Sequence, residues 1–256
     1  MNQNNNRYAG QDRGDRNGYD AYFAGMDKSM QQKVAVTTAH FPTSGRIADM
    51  GSGSGKGTFD LACLYSTLQL VGVDINPKSV EMSRQRFRRP NLSYVTGDIS
   101  KKVFPDASLD GILNSSVLHH VTSFNDFDVG RVMATLDNQV AQLKPDGVLI
   151  IRDFVIPTGP PVVHLDLPFD DGADAGPLRK LSTASFFELF AHHWRSSVNR
   201  TAPLSYKRMT SPREGFARFE ISLRAAAEFV LRKDYRAGWN VEILEEYTYF
   251  SQSEFE

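Results

Sequence analysis

Residues 49–55 read Asp-Met-Gly-Ser-Gly-Ser-Gly, and they join a strand-like stretch, Arg46–Met50, to a run over about 56–68 with helical spacing. Glycines at such a junction let the backbone turn tightly and approach a ligand closely, and the helix N-terminus that follows presents free N–H groups. Asp74 closes the next apolar stretch, Leu70–Asp74, 19 residues beyond Gly55. A carboxylate at that place accepts hydrogen bonds from ribose hydroxyls. The unit has the form of a nucleoside-binding half-site.

The surrounding pattern is one of short buried strands alternating with helices. Tyr22, Phe23, Met26, Met30 and Val34 recur at helical steps from Tyr19 onward, which predicts a helix ending near Pro42. Pro77–Arg88 reads as a helix with proline in its first turn, Leu92–Thr96 and Leu109–Asn114 as strands, and Phe127–Leu143 as an amphipathic helix. Lys144–Gly147 reads as a turn and Val148–Phe154 as an apolar strand. This order predicts an α/β protein with a parallel sheet covered on both faces.

Three nucleoside ligands compete for the glycine loop. A phosphate-binding Walker loop needs Gly-Lys followed by Ser or Thr, whereas Gly55-Lys56 is followed by Gly57. A dinucleotide fingerprint needs a third glycine at the position of Lys56. The chain instead shows an acidic residue, one residue, then Gly-x-Gly-x-Gly. Five blocks stand in order: ADMGSGSGKG (48–57), VGVDINP (71–77), VTGDI (95–99), LDGILNSSVLHHV (109–121) and LKPDGVLIIRDF (143–154). On these blocks, residues 45–155 resemble the class I S-adenosylmethionine-dependent methyltransferases.

The resemblance implies a Rossmann-like parallel-sheet sandwich with an N-terminal helix, S-adenosylmethionine as cofactor, and a set of cofactor contacts. Asp49 with Gly51, Ser52, Gly53 and Gly55 would hold the methionine end. Asp74, with Ile75 beside it, would bind the ribose. Asp98 would meet the adenine amino group and Ile99 would pack against the ring. Asn114 would lie under the sulfonium. Tyr22 and Met26 would either close over the cofactor or serve as plain core packing. Read without the resemblance, the glycine loop is a tight turn, and Asp74 and Asp98 are strand-end carboxylates.

Methyl transfer from a sulfonium needs alignment and exclusion of water, and a base only where the acceptor loses a proton early. His119 and His120, just after the fourth strand, are the candidate bases, with His120 slightly preferred. Asp153, at the end of the fifth strand, is a second candidate as base or acceptor-binding group. No metal site is expected. The sparse Asn114 and Asp153 do not make a carboxylate cluster, and the acidic stretch Asp166, Asp170, Asp171, Asp174 with His164 reads as a solvated loop.

Composition narrows the classes further. With 29 Lys+Arg against 30 Asp+Glu the formal charge is -1, which disfavours a nucleic-acid-coating protein. The dense basic run RQRFRRP (84–90) reads as a solvated helix end. Cys63 is the single cysteine, so an internal disulfide and a cysteine zinc site are excluded. No run approaches the ~20 apolar residues that cross a bilayer, and the Asn-rich start lacks a signal-peptide core. These features predict a cytoplasmic protein.

Four segments are expected. Residues 1–18 form a disordered tail, and 19–155 the cofactor-binding core with its leading helix. Residues 156–240 form a helical insertion, helical at 183–195 and 213–237. Its aromatics Phe186, Phe187, Phe190, Trp194, Phe216, Phe219, Phe229, Tyr235 and Trp239 are expected to pack over the cofactor mouth as part of an acceptor pocket. Residues 241–256 begin with a late strand, 241–250, and stop at a helix-like start. A sheet edge left open there is expected to take a partner chain or a missing domain. The expected function is methyl transfer to a small-molecule O or N nucleophile. The alternatives are an RNA or protein methyltransferase and, from another class, a cofactor-binding regulatory module without turnover.

Overall fold

The computed structural model describes residues 13–194 and 204–255. The chain divides into two compact units, Gly14–Asp153 and Phe154 onward with Arg13. The predicted tail lies outside the described residues except at its end, where Asp15 caps a helix that starts at Arg16.

The first unit is built on five parallel strands. They are β1 (Gly45–Met50), β2 (Leu68–Asp74), β3 (Leu92–Thr96), β4 (Leu109–Ser115) and β5 (Leu143–Arg152), in the order β3-β2-β1-β4-β5. Six helices accompany them: α1 (Arg16–Asp27), α2 (Met30–Thr38), α3 (Lys56–Leu64), α4 (Pro77–Arg86), α5 (Leu118–Ser123) and α6 (Gly130–Gln142). Chain direction across the sheet reverses between β1 and β4, and in open α/β sheets the crevice at that switch point, beyond the carboxyl ends, takes the ligand. Ile47, Leu68, Leu70 and Leu113 from the strands bury against Met30 and Val34 of α2 and Leu61 of α3.

Several predicted boundaries shift for local reasons. The single leading helix is two helices, broken near Ser29, and Asp27 at the end of α1 accepts a hydrogen bond from Ser54 Oγ in the glycine loop (2.7 Å). The turn at 144–147 does not precede β5 but bulges out of it. Leu109 faces Leu143 while Gly111 faces Val148, and Asp146 adopts a φ of 68°. The LHHV block supplies a helix of its own, α5, which the sequence pattern did not separate from the helix that follows.

The second unit corrects the helical insertion. It holds a three-stranded antiparallel sheet, β6 (Val162–Pro168), β7 (Lys207–Thr210) and β8 (Phe216–Ser222), in the order β6-β8-β7, together with α7 (Thr183–His193) and α8 (Leu223–Arg232). Residues 216–222 alternate, with Ala217, Phe219 and Ile221 buried and Arg218 and Glu220 outward, as strand residues do. Asp166 stands opposite Arg218 and takes a two-pronged ion pair from it at 2.8 and 2.7 Å, which holds the carboxyl down at about 2. Phe186, Phe187, Phe190, Trp194, Phe219, Phe229 and Trp239 are buried in this unit's own core rather than exposed as a pocket lining.

The predicted strand over 241–250 is not one. A short helix α9 (Trp239–Glu242) is followed by irregular, buried chain, and a last turn α10 (Gln252–Phe255) ends the described residues. Side chains replace a sheet ladder here. The carboxylate of Glu228 accepts from the backbone N–H of Tyr247 (3.2 Å) and Thr248 (2.7 Å), and Arg232 pairs with it at 2.5 Å. The guanidinium of Arg232 lies among the rings of Phe190, Trp194 and Tyr247, at 5.3, 5.6 and 4.6 Å.

Candidate functional site

The glycine loop leaves β1 and enters α3 with Gly51, Gly53 and Gly55 all at positive φ, 82°, 53° and 77°. Its path is fixed by backbone donors. Gly51 N and Ser52 N both donate to Val73 O at 2.8 Å, and Gly55 N donates to Ser52 O at 2.9 Å. Gly53 N donates to Asp74 Oδ2 at 2.9 Å, so the loop and the predicted ribose carboxylate form one unit.

The three glycines are needed for different reasons. At Gly51 a Cβ would fall 2.2 Å from Val117 Cγ2, so the loop after β4 occupies that space. At Gly53 only the thioether end of Met26 is near, at 2.8 Å, and a flexible side chain can yield to a ligand. At Gly55 a Cβ would meet Ser83 Oγ at 2.5 Å and the ring of Tyr94 at 3.0 Å. Gly55→Ala combines a left-handed backbone with a steric clash. Its expected cost is roughly 2–4 kcal/mol, read as a lowered denaturation midpoint of this unit.

Two carboxylates face the loop. Asp49 is buried and accepts from Thr58 Oγ1 at 2.6 Å. Burial pushes its carboxyl up to about 6 against that hydrogen bond. Asp74 is half-buried and accepts from Gly53 N and Asn76 N, both at 2.9 Å. Desolvation pushes it up to about 6 as well, with the charge of Asp49 adding to the effect. Among the described residues neither carboxylate has a Lys or Arg in salt-bridge contact. Ser52 Oγ, also in the loop, is buried without a hydrogen-bond partner.

The remaining predicted cofactor residues are placed as follows. Gly97 N donates to Asp74 O at 2.9 Å, which sets the segment carrying Asp98 and Ile99 beside the end of β2. Asp98 Oδ1 accepts from Ser100 N (3.0 Å) and Ser100 Oγ (2.7 Å), while Ile99 is buried. Ile75 is half-buried directly after Asp74. Tyr22 packs on Phe23 with ring centroids 5.8 Å apart, and Met26 reaches the loop at Gly53. Asn114 is buried and exchanges both amide hydrogen bonds with Gln139 of α6 (2.6 and 3.1 Å), so its side chain is turned to structural use.

The candidate base residues come together at the ends of β4 and β5. Asp153 Oδ1 lies 2.9 Å from His119 Nδ1, and Asp153 Oδ2 accepts from Leu118 N (2.8 Å) and His119 N (3.2 Å). Both side chains are nearly fully buried. A carboxylate on Nδ1 fixes the tautomer that donates there and leaves Nε2 as the proton acceptor. His120 has its ring 4.4 Å from that of His119. The structure therefore joins Asp153 to His119.

Sequence reasoning missed several supports. Tyr94 OH donates to Gly55 O at 2.7 Å, and Asn76 Nδ2 donates to Tyr19 OH at 2.6 Å. Gly72, a glycine inside an otherwise apolar strand, was the available signal for Tyr94. The two are paired in register, and a Cβ at Gly72 would fall 2.5 Å from the tyrosine ring.

Comparison with known proteins agrees with this geometry. A family described as "Methyltransferase domain" matches residues 48–151. A fatty-acid O-methyltransferase of Mycolicibacterium smegmatis is 31% identical over 110 residues, covering 42% of this chain and 36% of that protein. A demethylmenaquinone methyltransferase of Beutenbergia cavernae is 26% identical over 142 residues, covering 56% of this chain and 54% of that one. The chain thus spans about half, or less, of the length of the curated relatives it matches. The solved structure of a methyltransferase-like protein of Bacillus halodurans is similar with a TM-score of 0.46 and 13% identity, covering 75% of this chain and 95% of that one. The match over residues 48–151 and the ordered motifs within it support a class I S-adenosylmethionine-dependent methyltransferase family for that part of the chain.

Proposed function

We propose that the protein binds S-adenosylmethionine at the Asp49–Gly55 loop and Asp74, and directs transfer of its methyl group to a small-molecule acceptor. The observation that carries this reading is the pair of carboxylates, buried Asp49 and half-buried Asp74, beside a glycine loop and, among the described residues, without a Lys or Arg in salt-bridge contact. A pyrophosphate would meet two negative charges there. A ligand with an ammonium group, a sulfonium and ribose hydroxyls supplies the donors and positive charge that the site lacks. When bound, the cofactor supplies an electrophilic methyl. Asp74 would orient the ribose through its carboxylate, and Asp49 with Ser52 Oγ would hold the amino-acid end. His119, kept in one tautomer by Asp153, takes the acceptor's proton at Nε2.

A small acceptor is supported by the names of the two relatives and by the near-neutral charge. The basic run at 84–90 gives no support to an RNA acceptor. Arg84 donates to Tyr94 O through Nε and Nη2 (3.0 and 2.7 Å), and Arg86 pairs with Asp20. Among the described residues, no helix is long and apolar enough to cross a membrane.

Calorimetric titration tests the cofactor assignment. S-adenosylhomocysteine is expected to bind and NAD is not. The carboxyls of Asp49 and Asp74 sit at about 6 in the ligand-free protein, and the ligand favours their ionised forms. Binding therefore releases protons near pH 6 and none near pH 8. If either pKa falls by about two units, affinity at about pH 5 is about tenfold weaker than at about pH 7.5. Without ligand the two groups act on stability with the sign of raised carboxylates. Their contribution is complete below about pH 4 and is lost as pH rises through about 6. Binding of NAD in place of S-adenosylhomocysteine, or proton uptake near pH 6, overturns the assignment.

A further inference from the structure

The chain leaving β4 turns sharply before α5, and it turns at a serine. Ser116 holds a left-handed φ of 55°. Asp126 and Phe127, beyond the end of α5, are left-handed as well, at 63° and 56°. Among the described residues five non-glycine positions have positive φ, and these three bracket the short helix that carries His119. Residues with a side chain adopt that conformation only where the surroundings over-determine it.

At Ser116 the surroundings are the end of β5. Arg152 stands in register with Ser115 and grips the next residue from two sides. Ser116 N donates to Arg152 O at 2.6 Å, and Arg152 Nη1 donates to Ser116 Oγ at 2.6 Å, with Ser115 Oγ 3.5 Å away. Asp153 continues the grip. Its Oδ2 accepts from Leu118 N and His119 N, and its Oδ1 meets His119 Nδ1. Val117 lies between these points and closes the space over Gly51. Two consecutive residues of one strand end thus fix the chain from Ser116 to His119. That segment abuts the glycine loop on one side and carries the imidazole at its end.

A guanidinium bonded to a hydroxyl makes a charge-assisted hydrogen bond, roughly twice as strong as a neutral one. A glycine at position 116 would take the turn without strain but would offer no hydroxyl. The serine serves the bond, not the turn. We propose that Arg152 and Ser116 are positioning residues whose bond holds His119 against Asp153, so that Nε2 stays the proton acceptor at a fixed distance from the glycine loop. The inference rests on the methyltransferase reading above and adds the residues through which its base is oriented. Misplacing a reacting group by about 1 Å can cost about 100-fold in rate, so a rigid strand end is a suitable mount.

The test reads His119 directly, by ¹⁵N NMR of its imidazole in the full chain at about pH 8, with and without S-adenosylhomocysteine. The signals are assigned by their loss in His119→Gln. The parent is expected to show one tautomer, protonated at Nδ1. Arg152→Met removes the guanidinium, and Ser116→Gly removes the hydroxyl while relieving the strained φ. Each is expected to lower the ratio of the Nδ1–H to the Nε2–H form by about tenfold or more, so that the second tautomer becomes visible. Ser116→Gly is expected to do so with a thermal midpoint within about 4 °C of the parent, because relief of strain offsets part of the lost bond. Affinity for S-adenosylhomocysteine is expected to stay within about threefold, since the backbone bonds of the glycine loop run to Val73 and Ser52 and not to Ser116. The proposal is overturned if the parent already shows both tautomers, or if both variants keep one. A lower midpoint in Arg152→Met with the single tautomer kept in both variants would make the bond structural only. A loss of S-adenosylhomocysteine affinity as large as the tautomer change would assign the clamp to the cofactor loop and also overturn the proposal. If the parent fails to bind S-adenosylhomocysteine, the methyltransferase reading falls, while the spectra of the ligand-free variants still decide whether Arg152 and Ser116 orient His119.

Discussion

Asp74→Ala is expected to weaken S-adenosylhomocysteine by about 100-fold or more, because hydrogen bonds to a charged acceptor contribute about 1.5–3 kcal/mol each and a ribose offers two. The same substitution is expected to leave the thermal midpoint of the ligand-free protein nearly unchanged at about pH 7.5. Two opposing effects explain that. The carboxylate accepts from Gly53 N and Asn76 N, and losing those bonds loosens the loop. It is also a desolvated charge beside Asp49, and removing it relieves a cost that the raised pKa of about 6 records. A residue with a purely structural role would show the reverse split, a lower midpoint with little change in affinity. Asp74→Asn keeps one acceptor oxygen and is expected to fall between, with about a tenfold loss. An affinity within about threefold of the parent for Asp74→Ala would remove the ribose role.

Much of the first unit was legible in the sequence because its signals are local. Asp-Met-Gly-Ser-Gly-Ser-Gly places a turn wherever it occurs, and the apolar runs ending at Met50, Asp74, Asn114 and Arg152 are short enough to be strands between helices. The parallel order then follows from right-handed crossover units. What the sequence did not separate was the use of each residue. Gly51 and Gly53 look alike in the motif, yet one is closed by Val117 and the other faces a side chain that can move. Asn114 stands at the strand end its motif predicts, but Gln139 takes its amide through a contact that no spacing rule announces.

The second unit was read as helical for a different reason. Val163-His164-Leu165-Asp166-Leu167 and Ala217-Arg218-Phe219-Glu220-Ile221 both alternate with period two. The first was hidden among Pro, Gly and Asp, and the second was absorbed into a longer helical run that is real only from Leu223. The stretch 241–250 shows the opposite error. Its apolar residues suggested a strand, but its buried acids and the carboxylate of Glu228 supply hydrogen bonds that a sheet partner would otherwise provide. Burial of four glutamates, Glu228, Glu242, Glu245 and Glu246, is a tertiary outcome that no local pattern predicts.

His119→Ala is expected to lower turnover on an oxygen acceptor by about 10²–10⁴-fold, the range that general-base catalysis contributes. His120→Ala is expected to cost less than about fivefold, since Asp153 fixes the tautomer of His119 through Nδ1. Asp153→Asn is the sharper test. Asp153 holds Nδ1–H of His119 with one oxygen and caps two N–H groups of α5 with the other. An asparagine can keep only one of these acceptor roles. If its oxygen stays on the helix, its NH₂ faces Nδ1 and reverses the tautomer, which removes the acceptor at Nε2. Turnover then falls with His119→Ala, while affinity for S-adenosylhomocysteine holds. The double variant is expected to be no slower than His119→Ala, because residues that act as one unit are not additive. The acidic limb of the rate–pH profile, present in the parent, disappears with His119. A structural role for Asp153 would lower the melting midpoint and leave that limb in place. An unchanged turnover in His119→Ala would mean that the acceptor reaches the methyl group already deprotonated, with the histidine pair only shaping the site.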